Sequence, residues 1–140
     1  MHLVTKFYRL SCWLKQKKIP LLPDLMHKLM RVIFTCDIKY TVKIGENINL
    51  FHNGLGVVIH KYSIIGENVS IYQNVTIGGN GKEEKYNGHP IIGDNVIIGA
   101  GAVILGPVKI GDNAKIGANA VVITDIPTGA TAVGVPARFK

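Results

Sequence analysis

A six-residue apolar period runs through residues 38–122 and constrains the fold of this chain more than any other feature. Smaller apolar residues such as Val96 and Ala114 stand two positions before an anchor of the period. Residues two apart point to the same side of an extended strand, so the period predicts very short strands separated by turns. The thirteen anchors fall in three blocks, with a spacing of six inside each block: Ile38, Ile44, Leu50; Ile59, Ile65, Ile71, Ile77; Ile92, Ile98, Ile104, Ile110, Ile116, Val122.

The turns between these strands are rich in glycine and asparagine, which tolerate positive φ at tight corners. Three short strands for each circuit of the chain predict a mainly β coil with three sides, whose parallel strands stack and bury one anchor per side. Thirteen anchors in phase disfavour the alternative, a chance run of isoleucines in an ordinary sheet. Glycine follows the anchors at Gly45, Gly66, Gly78, Gly93, Gly99, Gly111 and Gly117, and asparagine stands at Asn47, Asn68, Asn74, Asn95, Asn113 and Asn119.

The period breaks twice, between Leu50 and Ile59 and between Ile77 and Ile92. An insertion cannot enter the packed interior of a stacked coil, so it bulges from a corner. The two inserted segments, at residues 51–56 and 78–90, carry His52 and His89 among several glycines. They are therefore the candidate functional segments.

The composition changes near residues 35–37, which predicts a basic amphipathic helical segment at 1–36. The β domain then covers 37–140, with an extruded loop at 78–90 and a C-terminal tail. The first segment holds +6 of the net charge of +7. It contains two apolar stripes at helical spacing, with Asp24 as N-cap or first-turn residue of the second helix. The stripes are Leu3, Phe7, Leu10 and Leu14, then Leu25, Leu29, Val32 and Ile33.

The charge distribution bears on partners and location. The repeats are nearly neutral and lack an interleaved aromatic and basic surface, so nucleic acid is excluded as a partner. Two cysteines form no disulfide framework, and neither a membrane span nor a signal peptide is evident, which favours a cytoplasmic chain. Two alternatives stay open for residues 1–36: packing on the coil, or peripheral contact with an anionic membrane.

Several stretches are more specific than the period. They are Asp37-Ile38, His52-x-Gly-x-Gly-Val-Val-Ile, Tyr72-Gln73-Asn74-Val75-Thr76-Ile77-Gly78-Gly79-x-Gly81-Lys82, His89-Pro90-x-Ile92-Gly93, Ile98-Gly99-Ala100-Gly101-Ala102, Ile116-Gly117-Ala118 and Gly134-Val135-Pro136-Ala137-Arg138. With them, the chain resembles the serine acetyltransferases among the hexapeptide-repeat acyltransferases, over about residues 37–138. The resemblance implies a left-handed parallel β-helix, acetyl-CoA as co-substrate, no metal, and a homotrimer with active sites between subunits.

The resemblance also assigns roles to three residues. His52 matches the general base, Asp37 the aspartate that assists it, and His89 the loop histidine near the acceptor. Fifteen residues separate Asp37 from His52, three fewer than an eighteen-residue circuit, so a hydrogen-bonded pair on adjacent coils is compatible with the spacing. Each residue also has a structural alternative. His52 could be a solvent-exposed turn residue, Asp37 could cap the first coil, and His89 with Pro90 could direct the chain from the loop back into the coil.

Small residues at successive corners predict a groove for the pantetheine arm of coenzyme A. The candidate cofactor-binding positions are Gly79, Gly81, Gly99, Ala100, Gly117 and Ala118, with Lys82, Lys115 and Arg138 for the phosphates. The alternative for each lysine is a solvated corner.

Two departures from the family pattern concern the acceptor. Phe51 stands where the family has an aspartate, and Gly88 where it has an arginine, the residues that hold the ammonium and carboxylate of an amino acid. Their loss favours an uncharged acceptor over free serine in cysteine biosynthesis, and the resemblance suggests that this acceptor is the sugar of a surface polysaccharide or its precursor. Other classes are a non-catalytic scaffold and a zinc carbonic anhydrase, which needs a close histidine pair, whereas His52 and His60 are eight apart.

Overall fold

The computed structural model describes residues 2–81 and 88–140 as a mainly β chain with parallel sheets and two helices. The helices are α1 (Leu3–Gln16) and α2 (Leu22–Ile33), and a 3-10 turn spans Phe51–Gly54. The strands are β1 (Asp37–Ile38), β2 (Lys43–Ile44), β3 (Asn49–Leu50), β4 (Val58–Ile59), β5 (Ile64–Ile65), β6 (Ser70–Ile71), β7 (Thr76–Gly78), β8 (Ile91–Ile92), β9 (Ile97–Ile98), β10 (Val103–Leu105), β11 (Lys109–Ile110), β12 (Lys115–Ile116), β13 (Val121–Val122), β14 (Thr131–Val133) and β15 (Arg138–Phe139).

Each strand from β1 to β10 pairs in parallel with the strand three places further along the chain, so the chain visits three sheets in turn. At the end of the coil, β12 pairs in parallel with β14. The first sheet has the order β1-β4-β7-β10-β13, the second β11-β8-β5-β2, and the third β15-β14-β12-β9-β6-β3. β15 closes the third sheet as an antiparallel strand. The chain turns a corner each time it passes from one sheet to the next. The first corner joins the first sheet to the second, the second corner joins the second sheet to the third, and the third corner joins the third sheet back to the first.

The anchors of the six-residue period form the core, which confirms the predicted burial. All thirteen are buried, from Ile44 at 9% exposed to Ile38, Ile98 and Val122 at 0%. None of the residues just before them on the strands is buried, and Lys43, Lys109 and Lys115 are exposed. The two insertions keep the anchors in register, since Ile38 pairs with Ile59 and Ile77 with Ile104.

The asparagines of the corners have the predicted positive φ, between 53° and 60° at six positions. The same explanation is wrong for the glycines that follow the anchors, none of which has positive φ. Their reason is contact between coils. A Cβ at Gly66 would lie 2.7 Å from the carbonyl carbon of Gly93, and one at Gly99 would lie 2.6 Å from the amide nitrogen of Ala118. Glycine is required there because the next coil passes too close.

The faces predicted for the helices are largely wrong. In α1 the buried residues are Val4, Thr5, Tyr8, Ser11 and Leu14, so only Leu14 of the predicted stripe is buried. In α2 the buried residues are Pro23 and Met30, and the predicted stripe faces outward, with Val32 79% exposed. Asp24 lies in the first turn of α2, as predicted, while the N-cap is Leu21.

Polar contacts attach α1 to the first coil. Tyr8 donates a hydrogen bond from its hydroxyl to the carbonyl of Val42 at 2.5 Å, and the Arg9 guanidinium donates to the carbonyl oxygens of Ile44 and Gly45. Within the described ranges, neither helix has the length and apolar character needed to span a bilayer.

Candidate functional site

His52 projects from the third corner, in the 3-10 turn that the first insertion forms. Its backbone has φ 53°, as has that of Asn53, and its side chain is exposed. Beside it, the ring of Phe51 stacks on Tyr72 of the next coil, with 4.3 Å between the ring centroids. Among residues 2–81 and 88–140 the His52 ring has no hydrogen-bond partner. The insertion thus presents a free imidazole next to an aromatic pair.

Asp37 begins β1, and its carboxylate is held by α2 rather than by His52. Its Oδ1 lies 2.7 Å from Nε2 of His27, and its Oδ2 lies 3.7 Å from Nε of Arg31. The predicted hydrogen bond between Asp37 and His52 is therefore not formed in this chain. Sequence reasoning gave His27 no site role, because nothing in its surroundings signals a ligand. The only usable signal was its position one helical turn before Arg31.

The neighbouring cysteine is an inert thiol. Cys36 is 1% exposed, and burial, followed by the negative charge of Asp37, raises the pKa of its thiol to about 11. A thiol protonated at neutral pH is a poor nucleophile. Covalent catalysis through Cys36 is therefore not part of this site.

His89 lies at the first corner, where two further rings surround it. Its imidazole is nearly parallel to that of His60, with 6.4 Å between the ring centroids, and lies 6.5 Å from the Tyr62 ring. In the sequence analysis His60 is considered only for a zinc site and has no role beside His89, yet the two histidines share this corner. His52 and His89 of one chain stand at different corners of the coil, so the described residues of a single chain do not bring them together.

The candidate groove residues share the third corner with His52. Gly99 and Ala100 lie between β9 and β10, and Gly117 and Ala118 lie between β12 and β13 on the next coil. One coil nearer to His52, Gln73 at the same corner has a buried Oε1 without a partner among the described residues. This column therefore combines small residues with an unused acceptor.

The other candidate cofactor positions lie elsewhere. Lys115 and Arg138 begin β12 and β15 of the third sheet and are exposed, while Gly79 and Gly81 follow β7 at the first corner. Lys82 lies outside the described residues.

Two cavities open near the helices. The larger, about 690 Å³, lies between α1 and the first coil and is lined by no predicted site residue. The smaller, about 270 Å³, is lined by Arg31, Thr35, Cys36, Asp37 and Val58. In the part of the chain that the structure describes, no three histidine, cysteine, aspartate or glutamate side chains are grouped to hold a metal ion.

The two departures from the family pattern have structural counterparts. Phe51 takes part in the aromatic stack at the third corner, where a carboxylate would otherwise stand. At Gly88 a Cβ would lie 2.0 Å from Cβ of Pro107, so a longer side chain needs a different path of this segment.

The repeats that form this coil match a known protein family. Residues 89–124 match the family described as "Bacterial transferase hexapeptide (six repeats)". A serine acetyltransferase from Helicobacter pylori J99 is 44% identical over 131 residues, which cover 94% of this chain and 75% of that protein. One from Synechococcus elongatus is 41% identical over 131 residues, 94% of this chain and 53% of the relative.

Solved structures agree. The soybean serine acetyltransferase apoenzyme has a TM-score of 0.87 and 40% identity, covering 98% of this chain and 56% of that one. A serine acetyltransferase in complex with CoA has a TM-score of 0.87 and 39% identity, covering 98% and 55%. The chain belongs to the serine acetyltransferase family. It spans about half the length of the first curated relatives it matches, 53% and 52%.

Proposed function

We propose that this chain is an acetyl-CoA-dependent O-acetyltransferase of the serine acetyltransferase type, built on a left-handed parallel β-helix. The observation that carries the proposal is the 44% identity to a serine acetyltransferase across 94% of the chain, which includes the whole repeat region. A relative at this distance shares its fold throughout. The family's catalytic positions correspond to His52, Asp37 and His89.

The proposed reaction is a single acyl transfer. His52 removes the proton from an acceptor hydroxyl, the hydroxyl oxygen attacks the thioester carbonyl carbon, and the carbon–sulfur bond breaks. The proton then passes from the His52 imidazolium to the departing sulfur, which leaves an acetyl ester and free coenzyme A. Asp37 stabilises the imidazolium, His89 orients a reactant, and backbone amides of the glycine-rich corners stabilise the oxyanion.

The third corner is the proposed site of coenzyme A. The small residues Gly99, Ala100, Gly117 and Ala118 lie on two stacked coils at this corner. One coil nearer to His52, the buried Oε1 of Gln73 has no partner among the described residues. Lys115 and Arg138 are exposed and available to the phosphates, and Gly79, Gly81 and Lys82 remain proposed contributors. The structural relative with bound CoA supports this co-substrate.

Serine is the first acceptor that we propose, because the relatives are serine acetyltransferases. This reverses the preference drawn from the sequence, where a sugar hydroxyl came first. The sugar remains the second candidate on one observation. Phe51 and Tyr72 place an aromatic pair beside His52, where the family has a carboxylate for the ammonium group of serine.

We further propose a cytoplasmic homotrimer with active sites between subunits. The position of His52 and His89 at different corners of one chain supports a site completed by a neighbouring copy. Peripheral membrane contact of residues 1–36 stays a prediction. Co-sedimentation of the full chain with anionic and with neutral vesicles tests it, and Lys17→Glu with Lys18→Glu should abolish any preference for the anionic vesicles.

The function is tested by following free thiol released from acetyl-CoA in the presence of serine, simple sugars or nucleotide sugars. The wild-type chain should release thiol with at least one acceptor, and His52→Ala should lower kcat by about 10²- to 10⁴-fold. Circular dichroism controls for folding. Full activity of His52→Ala would remove this residue from the mechanism, and absence of transfer to every acceptor would favour a scaffold.

A further inference from the structure

α2 brings an imidazole and a guanidinium onto the carboxylate that begins the first strand. Nε2 of His27 lies 2.7 Å from Oδ1 of Asp37, a hydrogen-bonding distance typical of a charged acceptor. Nε of Arg31 lies 3.7 Å from Oδ2 of the same carboxylate. The His27 side chain is 16% exposed, that of Asp37 37% and that of Arg31 62%, so the His27 contact is the sheltered one of the two.

The local fold fixes this contact. His27 and Arg31 are four residues apart on α2 and therefore share one face of the helix. The helix ends at Ile33, and Asp37 follows after three residues, with Thr35 at φ 54° in the connection. Backbone hydrogen bonds from Gly56 to the Thr35 carbonyl and from Asp37 to the Val57 carbonyl tie this connection to the inserted segment that carries His52. The helix face and the strand start are thus held to one another.

The contact restricts the carboxylate. The carboxylate torsion of an aspartate is broad, so an unsupported carboxylate samples many orientations. An ionised carboxylate only accepts hydrogen bonds, so Nε2 of His27 is the donor, and it occupies one of about four acceptor positions. With His27 hydrogen-bonded to one oxygen and Arg31 near the other, the motion of the carboxylate is restricted and acceptor positions remain for a further N–H.

We propose that His27 is a positioning residue of the transferase. It holds the Asp37 carboxylate at the start of β1, next to the inserted segment that carries His52, and leaves acceptor positions for an imidazole N–H that this carboxylate does not contact in the structure of the single chain. The proposal rests on the proposed function, since it acts through the pair assigned to the reaction. It makes α2 part of the active site. A residue that acts only through Asp37 has no effect once that carboxylate is gone, whereas a residue that merely stabilises the fold acts independently.

The kinetic experiment compares wild type, His27→Ala, His27→Gln, Asp37→Asn and the double variant His27→Ala with Asp37→Asn. The thiol-release assay uses the best acceptor of the wild-type chain. His27→Ala should lower kcat by about 10- to 100-fold, with KM for both substrates within about twofold of wild type. His27→Gln keeps an N–H donor and should recover most of the loss. The double variant should be no slower than Asp37→Asn alone. Lys28→Ala, an exposed neighbour on α2, is the matched control and should retain wild-type kcat.

A wild-type kcat for His27→Ala, or a loss that adds to that of Asp37→Asn, overturns the proposal. If His27→Ala fails to fold, the same double-variant comparison of kcat is made with His27→Gln in its place, alone and combined with Asp37→Asn. Ring ¹⁵N shifts of His27 provide a readout independent of turnover, and Asp37→Asn should change them while Lys28→Ala should not. If Asp37→Asn changes the His27 ring shifts but the wild-type chain transfers no acetyl group, the contact between His27 and Asp37 has only a structural role. That result would also reject the proposed function. Activity lost in His52→Ala but kept in His27→Ala would reject this inference alone.

Discussion

Most of the glycines that follow the anchors are required by the backbone of the neighbouring coil, and this requirement sets how closely the coils stack. At Gly66 a Cβ would meet the backbone of Gly93, with its carbonyl carbon at 2.7 Å. Backbone in a hydrogen-bonded ladder has little freedom to move away, so the clash is transmitted along the coil. At Gly78 the nearest atom to a Cβ would be Cδ2 of Leu105, at 3.2 Å, the end of a flexible side chain.

These surroundings predict different costs for the same substitution. Gly66→Ala should lower the free energy of unfolding by about 1–3 kcal/mol, because the coils must separate to admit the methyl group. Gly78→Ala should cost less than about 1 kcal/mol, because the Leu105 side chain can turn aside. Neither position has positive φ, so the difference between the two substitutions reports steric packing and not backbone strain. Urea unfolding at one fixed protein concentration measures both, and equal costs would contradict the steric explanation.

At the scale of elements, helix α1 is attached to the first coil by the phenol of Tyr8, which is neutral in the folded chain. Tyr8 is 3% exposed, and burial raises the pKa of its hydroxyl above the ordinary value of 10.0. Since the folded pKa is the higher one, the contribution of Tyr8 to stability is fully present below about pH 10. It declines as the pH rises further, because the unfolded chain releases a proton that the folded chain retains.

Tyr8→Phe tests this attachment through the dependence of the free energy of unfolding on pH above pH 10. At pH 7 the variant should lose about 1–2 kcal/mol, because the Val42 carbonyl loses its donor. Between pH 10 and pH 12 the free energy of unfolding of the wild type should fall more steeply than that of the variant, so that the two curves converge. Urea unfolding across this pH range provides the measurement. Parallel curves would mean that Tyr8 ionises as readily in the folded chain as in the unfolded one.

The elements also separate what the sequence could predict from what it could not. The sheets were predictable because every six-residue unit repeats one constraint, an inward anchor and a tight corner. The hand of the coil was not, since spacing is identical for both hands. The helix faces failed because α1 covers the coil with Val4 and Tyr8, which its apolar stripe does not include.

The same limit applies to the candidate site. His52, Asp37 and His89 could be proposed because each stands in a distinctive motif. The partner of Asp37 could not, because the contact with His27 depends on how α2 docks against β1. The position of a helix relative to a strand is a tertiary property and leaves no periodic trace in the sequence.

For the whole molecule, the corners decide whether one chain suffices for catalysis. His52 lies at the third corner with the proposed coenzyme A groove, and His89 at the first corner beside His60 and Tyr62. In the proposed cyclic trimer the same two surfaces meet at every interface, so each proposed site takes one corner from each of two neighbouring copies. A trimer then has three sites, none of which belongs to one chain.

This arrangement predicts complementation between two inactive chains. His52→Ala and His89→Ala should each be nearly inactive alone. Denatured together in equal amounts and refolded, they should regain about a quarter of wild-type activity, because one site in four combines the intact His52 of one variant with the intact His89 of the other. Light scattering verifies that the refolded mixture is trimeric, and variants refolded separately and then mixed serve as the control. No recovery in a trimeric mixture would mean that both histidines of a site come from one chain.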